Sequence, residues 1–340
     1  MRTNDELRVL QALPLELKVA KTKLRIREWV NEFGVEGVYV AFSGGKDSTV
    51  LLHIIREMYP GVEAVFVNTG LEYPEIQKFV KTFDNVTILR PKMRFDEVIK
   101  NYGYPIISKE VSEKLYYAQL GTEYGLKAMQ GQAKTKESSA FRQALIKWQP
   151  IVEADYMVSH KCCNVMKKKP SKDFEKRTGK TPMLATMTDE SRLRKQAWLK
   201  YGCNAFDAAR AKSQPMSFWT EQDVLQYIKQ NNIPIASVYG DIVYADNEQQ
   251  ERLFECGEQL KTTGCSRTGC IFCGFGCHLE KSPTRFERLK ETHPRQYEYC
   301  IGGGEFNEEG IWQPNKQGLG MGYVFDQLNA IYGDDFIKYK

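Results

Sequence analysis

The sequence has no long apolar run, no strong charge imbalance and no internal repeat. Its most apolar stretches, such as residues 38–42 and 62–67, are far shorter than the ~20 residues of a membrane-spanning helix. The 48 basic and 43 acidic residues leave a net charge of only +5, and 42% of the 340 residues are hydrophobic. Disorder requires low hydrophobicity and high net charge, so we expect a folded chain without a membrane partner.

The first fifteen residues also lack the apolar core of a signal peptide. We therefore expect a cytoplasmic protein, in a compartment that keeps thiols reduced. Nine cysteines in such a chain indicate metal ligands or catalytic thiols before disulfides.

Helical and strand-like patterns alternate through the first hundred residues. This alternation predicts an α/β fold, a parallel twisted sheet with helices on both faces. A further strand is predicted at residues 184–187, a capped helix at 220–231, and mostly helical structure at 110–150. Strands are predicted at residues 37–42, 62–67 and 86–89, and helices at 15–33, 50–58 and 74–83.

Three segments are expected along the chain. Residues 1–34 form an N-terminal helical segment, and residues 35–240 form the α/β domain. Residues 241–340 form a Cys-rich, metal-binding and helical C-terminal region.

The sharpest local feature is a small-residue loop between the first strand and the following helix. Two glycines let the backbone approach an anion, and the helix start presents free N–H groups to it. Lys46 supplies a positive charge, and Asp47 can hold Mg²⁺ on a polyphosphate. The alternative is a turn without a ligand. The candidate phosphate loop is Ser43, Gly44, Gly45, Lys46, Asp47 and Ser48.

With this string the chain resembles the PP-loop ATP pyrophosphatases, which have an adenine nucleotide α-hydrolase-like fold. The resemblance implies that ATP with Mg²⁺ is bound and cleaved between its α and β phosphates. Lys46 and Asp47 would then be catalytic residues that also bind the nucleotide.

Later segments are similar to the phosphoadenosine-phosphosulfate (PAPS) reductase branch, which includes the small subunit of ATP sulfurylase. Asn68, Thr69 and Gly70 follow the second strand, where the branch usually has Asp in place of Asn68. The resemblance assigns Arg192 and Arg194 to the acceptor or the α-phosphate, assisted by Lys109. Ordinary surface charges are the alternative for both arginines.

The cysteines cluster in a way that indicates a metal centre. In the assimilatory adenylylsulfate reductases a Cys-Cys pair and a later Cys-x-x-Cys hold a 4Fe–4S cluster. Cys162, Cys163, Cys270 and Cys273 match that pattern, so the resemblance implies an iron–sulfur cluster, with zinc as the alternative. The competing ligand set is Cys265, Cys270, Cys273 and Cys277, whose first three members have ferredoxin-like spacing.

The resulting hypothesis is an ATP pyrophosphatase that adenylates an acceptor for sulfur transfer. Nucleic acid is a candidate acceptor, and a cysteine desulfurase is a candidate sulfur donor. Assembly of the protein into an oligomer is compatible with either partner. One alternative is a PAPS or adenylylsulfate reductase in which Cys256 attacks the sulfate, although this residue precedes the Cys-x-x-Cys pair. Another is a non-catalytic, nucleotide-binding iron–sulfur regulator.

Overall fold

The structure, a computed structural model, describes residues 2–132, 138–245 and 259–340. Its helices are α1 (Asn4–Gln11), α2 (Leu15–Phe33), α3 (Lys46–Met58), α4 (Pro74–Val80), α5 (Phe95–Tyr102), α6 (Lys109–Gln119), α7 (Glu123–Met129), α8 (Ser139–Ile146), α9 (Lys169–Thr178), α10 (Arg192–Tyr201), α11 (Glu221–Gln230), α12 (Arg285–Thr292), α13 (Pro294–Ile301) and α14 (Met321–Tyr332). Its strands are β1 (Val38–Ala41), β2 (Glu63–Val67), β3 (Val86–Leu89), β4 (Ile106–Ile107), β5 (Thr181–Met183), β6 (Asn204–Ala205), β7 (Lys212–Ser213), β8 (Ile242–Tyr244), β9 (Leu260–Thr262), β10 (Gly274–Phe275), β11 (Glu305–Phe306) and β12 (Trp312–Gln313).

The chain forms two compact units, each assembled from separate segments. The first, the sheet unit, contains Met1–Asn68, Glu72–Arg90 and Pro170–Thr268. The second, the cysteine unit, contains Thr69–Leu71, Pro91–Lys169 and Gly269–Lys340. These units are defined by which residues contact one another, and each combines segments that are distant in the sequence. They do not test the predicted division into three consecutive segments at residues 34 and 240, which stays a prediction.

The sheet unit is built on a six-stranded sheet in the order β3-β2-β1-β5-β7-β6. The strands pair in parallel except for β6, which is antiparallel to β7. The parallel α/β fold predicted from the sequence is therefore confirmed. The strand predicted at residues 184–187 was wrong, because the chain pairs with β1 slightly earlier, at Thr181–Met183.

Helices α2 and α11 begin and end where their sequences predict. Gly34, with a φ of 74°, follows the last residue of α2. Thr220 caps α11 in a capping box with Asp223, which satisfies N–H groups that the first helical turn leaves free. The same Asp223 forms a buried ion pair of 2.6 Å with Lys18 of α2. A buried charge pair broken on one side is strongly destabilising, so this contact fixes α2 against α11.

The cysteine unit contains helices α5 to α8 and α12 to α14 with two small sheets, one of β4 and β10 and one of β11 and β12. The mostly helical structure predicted at residues 110–150 is confirmed by α6, α7 and α8, and residues 133–137 of this range lie outside the described residues. The core of the cysteine unit is rich in fully buried aromatic side chains, among them Tyr104, Tyr156, Phe286 and Phe325. In neither unit does a described helix combine the length and the apolarity that crossing a membrane requires.

Candidate functional site

The loop between β1 and α3 has a backbone that only glycine fits at its centre. Gly44 has a φ of 71°, in the left-handed region. A Cβ atom at this position would lie 2.7 Å from Val80 Cγ2 and 2.8 Å from Ile76 Cγ2, both on α4. The loop therefore packs directly against α4, and the missing side chain is a condition of that packing.

Serine hydroxyls at the two ends of the loop hold its shape. Ser48 Oγ accepts from the Ser43 N–H at 3.2 Å and donates to the Gly45 carbonyl at 2.9 Å. The two hydroxyl oxygens of Ser43 and Ser48 lie 3.0 Å apart. The loop thus closes on itself, so its glycines are held in one conformation before any ligand arrives.

Lys46 is buried at the first position of α3, with 3% of its side chain exposed. Its ammonium donates to the Ser266 carbonyl at 2.7 Å and pairs with Glu221 Oε1 at 3.0 Å. Its backbone N–H donates to the Tyr239 hydroxyl at 3.2 Å, and that hydroxyl lies 2.6 Å from Thr268 Oγ1. The lysine charge is therefore fixed at the helix N-terminus, where an anion is stabilised.

Asp47 carries a buried carboxylate oxygen, Oδ1, that has no hydrogen-bond partner within the described part of the chain. Burial raises the pKa of this carboxyl, and Glu221 raises it further, whereas Lys46, Arg267 and Arg194 lower it. An unsatisfied buried oxygen is costly unless another group meets it. A hard cation such as Mg²⁺ takes carboxylate ligands, so this side chain fits the metal that an ATP site requires.

Two arginines approach Asp47 from other parts of the sheet unit. Arg194, in the first turn of α10, forms an ion pair with Glu190, and Arg267 Nη1 lies 3.9 Å from Glu190 Oε1. Burial lowers the pKa of Arg194, and the like charge of Arg267 lowers it further. The two guanidinium groups are therefore close enough to repel one another, and one carboxylate holds them both.

These groups lie at the point where the order of the sheet reverses. β1 pairs with β2 on one side and with β5 on the other. The chain runs from β1 to β2 and β3 in one direction, and later through β5 to β7 in the other. Open α/β sheets bind ligands outside the carboxyl ends of their strands at such a switch point, and the loop follows the carboxyl end of β1.

The other predicted nucleotide residues occupy different surroundings. Asn68 follows β2 in the sheet unit, and its N–H donates to the Leu89 carbonyl at 2.8 Å. Thr69 and Gly70 belong to the cysteine unit, where Thr69 Oγ1 accepts from a backbone N–H two residues later. Arg192 is exposed at the start of α10, and no hydrogen bond or ion pair within the described residues joins it to the loop.

The predicted metal ligands all belong to the cysteine unit. Cys162 and Cys163 begin the helical stretch before α9, and their sulfur atoms lie 3.9 Å apart. The hydrogen bond to Cys163 raises the pKa of Cys162, together with burial and the nearby thiols of Cys273 and Cys270. That hydrogen bond lowers the pKa of Cys163, and Lys109 and Lys167 lower it further. The structure thus brings the four thiols within electrostatic range of one another.

Cations surround this group of thiols. Lys109 and Lys167 face Cys163, and Arg285 Nη1 donates to the Cys273 carbonyl at 2.9 Å. Thiolate sulfur is the ligand of iron–sulfur clusters, so the four thiols are a fitting donor set, and the three cations would balance the negative charge of such a centre. Throughout residues 2–132, 138–245 and 259–340, no three His, Cys, Asp or Glu side chains are arranged to hold one metal ion. The iron–sulfur cluster stays a prediction.

The remaining cysteines are separate from this group or buried. Cys265 belongs to the sheet unit, and the other members of the competing ligand set belong to the cysteine unit. Cys277 donates to the Gly274 carbonyl at 3.0 Å, and burial raises its pKa to about 12. Cys203 and Cys300 are buried, as expected for small apolar side chains. Cys256, the candidate nucleophile of the alternative hypothesis, lies outside the described residues.

Sequence reasoning missed the segment that follows β9. Ser266, Arg267 and Thr268 all contact the loop or its charged neighbours, and Tyr239 contributes its hydroxyl as well as its buried ring. The available signal was a basic residue just before the Cys-x-x-Cys pair. This residue alone does not predict the contact, because no local pattern reports a contact with a loop more than two hundred positions earlier.

Comparison with known proteins gives one family and a set of relatives. A profile of the phosphoadenosine phosphosulfate reductase domain matches residues 37–106 and 116–274. Subunit 2 of the sulfate adenylyltransferase of Proteus mirabilis is 26% identical, covering 72% of this chain and 79% of that protein. Its counterpart in Bacteroides fragilis is 24% identical, over 72% and 77% of the two chains.

Among solved structures, the phosphoadenylyl-sulfate reductase of Candida auris in its phosphate complex is similar to this chain. The two are 14% identical with a TM-score of 0.38, over 70% of this chain and 91% of the other.

Proposed function

Since the chain belongs to the phosphoadenosine phosphosulfate reductase domain family, nucleotide-binding enzymes of sulfur metabolism, we propose that it is an ATP pyrophosphatase that adenylates an acceptor. An acceptor oxygen attacks the α-phosphorus of ATP, the bond to the β-phosphate breaks, and pyrophosphate leaves. The acceptor then carries AMP on that oxygen. A sulfur nucleophile can displace the AMP, which completes a sulfur transfer.

The observation that carries this proposal is the intact and preformed phosphate loop. Gly44 lets the loop pack closely against α4, Lys46 brings a fixed charge to the helix start, and Asp47 Oδ1 is buried with no hydrogen-bond partner among the residues that the structure describes. A turn without a ligand would gain nothing from a buried lysine and a buried aspartate next to each other, because both are costly to desolvate.

Each residue has a role that follows from its position. The loop holds the β and γ phosphates, and Lys46 neutralises charge that grows on the departing pyrophosphate. Arg194 orients the α-phosphate or the acceptor with its planar guanidinium. Asp47 holds Mg²⁺, which supplies Lewis-acid stabilisation of the phosphate oxygens when it is bound.

Release of pyrophosphate from ATP tests the proposal. We expect Lys46→Ala to lower the rate about 10²–10³-fold, the usual effect of removing one electrostatic contact to a developing charge. Lys176→Ala is the matched control, since Lys176 is exposed on α9 of the same unit. Thermal unfolding of both variants shows whether the fold survives. Equal rates in Lys46→Ala and the wild type would contradict the proposal.

The acceptor and the partners form a second part of the proposal. The relatives named above are sulfate adenylyltransferase subunits, so sulfate is one acceptor to test and RNA or DNA is the other. We propose that the protein acts within a complex, with a sulfur donor such as a cysteine desulfurase. Pyrophosphate release measured with each acceptor alone identifies which one the enzyme uses.

An iron–sulfur cluster held by Cys162, Cys163, Cys270 and Cys273 is the third part of the proposal. The proximity of these thiols in one unit and the cations beside them support it. Such a cluster supplies electron-transfer chemistry when it is bound. The visible absorption spectrum and iron content of anaerobically purified protein test it, because zinc gives neither signal.

The second candidate function is reduction of a sulfonucleotide, favoured by the reductase description of the family. The Cys256 thiolate would attack the sulfur of the sulfonucleotide, and the bond from that sulfur to the phosphate oxygen would break, so that the nucleotide leaves. The dithiol of a thioredoxin would then reduce the resulting thiosulfonate, which releases sulfite and leaves a thioredoxin disulfide. The test is sulfite formation that Cys256→Ser abolishes. A protein that binds ATP but shows neither activity would support the regulatory alternative.

A further inference from the structure

The segment that follows β9 is attached to the phosphate loop and its supports at successive residues. The N–H groups of Gly264 and Cys265 donate to the carbonyls of Tyr239 and Val238, each at 2.9 Å. Ser266 and Thr268 then make the contacts with the Lys46 ammonium and the Tyr239 hydroxyl described above. These contacts fix the backbone on both sides of Arg267.

Arg267 itself reaches outward from this fixed backbone. Its side chain is 60% exposed, and its contact with Glu190 is long, at 3.9 Å. Arg194 pairs with the same carboxylate and is 37% exposed. Two guanidinium groups therefore share one carboxylate within electrostatic range of Asp47, and both side chains are partly exposed to solvent.

We infer that Arg267 is an anion-binding residue of the site and forms, with Arg194, a clamp for a tetrahedral oxyanion. This inference rests on the proposed function, because it places a second arginine beside the reacting nucleotide. The oxyanion is either the α-phosphate of ATP or an oxyanion acceptor such as sulfate. Both have the oxygen geometry that the arginine fork binds with paired hydrogen bonds.

The charges around Arg267 are two carboxylates and a second arginine, and the repulsion between the two arginines favours an anion between them. Glu190 is the acidic partner of both arginines, and Asp47 lies next to them with its own need for a cation. Repulsion between the arginines, which contributes to the lowered pKa of Arg194, is relieved when a dianion lies between them. The fixed backbone keeps Arg267 in place without the ligand, which reduces the entropy lost on binding.

Binding measurements on Arg267→Ala and Arg267→Lys test the inference, with Arg27→Ala as the matched control. Arg27 is exposed on α2 of the same unit. The probes are ATP with Mg²⁺, inorganic sulfate with Mg²⁺ and a bound nucleotide, and inorganic pyrophosphate. Thermal unfolding of each variant checks the fold, and Arg267→Lys keeps the charge while it removes the fork.

We expect Arg267→Ala to weaken either ATP or sulfate binding about 10- to 100-fold, as loss of a hydrogen bond between charged groups does. Pyrophosphate affinity should change less than about twofold, since the loop binds it and remains intact. Weakened ATP binding identifies the α-phosphate as the ligand, and weakened sulfate binding identifies the acceptor. Wild-type affinity for both probes would overturn the inference.

These equilibrium measurements separate the inference from the proposed function. If wild-type protein releases no pyrophosphate but Arg267→Ala loses ATP affinity, the adenylation proposal fails and the role of Arg267 stands. If release is normal in the variant at all ATP and acceptor concentrations, the proposed function stands and the clamp is refuted.

Discussion

The phosphate loop and the cysteine group are built in opposite ways. The loop is one stretch of six residues, and its own serines hold it closed. The four cysteines come from two distant places in the chain, and only the folding of the cysteine unit brings them together. The shape of the loop therefore depends on neighbouring residues, whereas the proximity of the four thiols depends on the tertiary structure.

Substitution at Gly44 should give the largest effect. It tests whether the loop depends on its own residues for its conformation. Gly44→Ala forces a Cβ atom within 3 Å of two α4 methyl groups. The left-handed backbone costs about 1–2 kcal/mol for an alanine, and overpacking adds roughly 1–3 kcal/mol. We expect ATP binding to be lost, as measured by equilibrium dialysis, and the melting temperature to fall.

Gly61→Ala is the control for this substitution, since no atom lies within 4 Å of its added Cβ. Its stability and ATP affinity should match those of the wild type. A Gly44→Ala variant that binds ATP normally would show that the loop does not need its glycine.

Substitution of a single cysteine should have the next largest effect. It tests whether the four dispersed cysteines act as one ligand set. We expect Cys273→Ser to lose the iron and the visible absorption of anaerobically purified protein, because a cluster needs all of its thiolates. Cys203→Ser should keep both, since Cys203 is buried in the sheet unit. If iron remains in Cys273→Ser, the ligand set is wrong. ATP binding measured on the same variant shows whether the two regions function independently.

Substitution of Asp47 should give the smallest effect on stability. The burial of this carboxyl fixes the direction in which the free energy of unfolding changes with pH. Because burial raises the pKa of Asp47 above its ordinary 3.8, the folded protein holds this proton more tightly than the unfolded chain. The free energy of unfolding therefore falls as the pH rises from the ordinary value through the raised one. Asp47→Asn removes this loss, and we expect about 0.5–2 kcal/mol of added stability at neutral pH.

The same variant should bind ATP with Mg²⁺ less tightly than the wild type, so stability and function change in opposite directions. Urea unfolding at acidic and neutral pH measures the first effect, and a magnesium titration of ATP binding measures the second. An Asp47→Asn variant that loses stability at neutral pH would show that the carboxylate has a partner in the folded protein.

Much of the sheet unit was predictable because its signals are local. Helix α2 and strand β3 have the bounds that their patterns predict, since apolar periodicity and a terminal glycine act over short distances. The strand at β5 was misplaced by a few residues, because residues 181–187 contain both the strand and the irregular stretch that follows it. Pairing with β1 decides between them, and that contact is not local.

Sequence alone determined the order of strand and helix in the first hundred residues, and it predicted the candidate phosphate loop and the four cysteine ligands. These depend on neighbouring residues, whose chemistry and spacing are visible in the chain. The tertiary structure decided that Lys46 meets Ser266, that Arg267 joins Arg194 at Glu190, and that Asp47 Oδ1 is buried with no hydrogen-bond partner in the described ranges. Such contacts arise only when packing brings distant segments together, and no single segment carries the information for them.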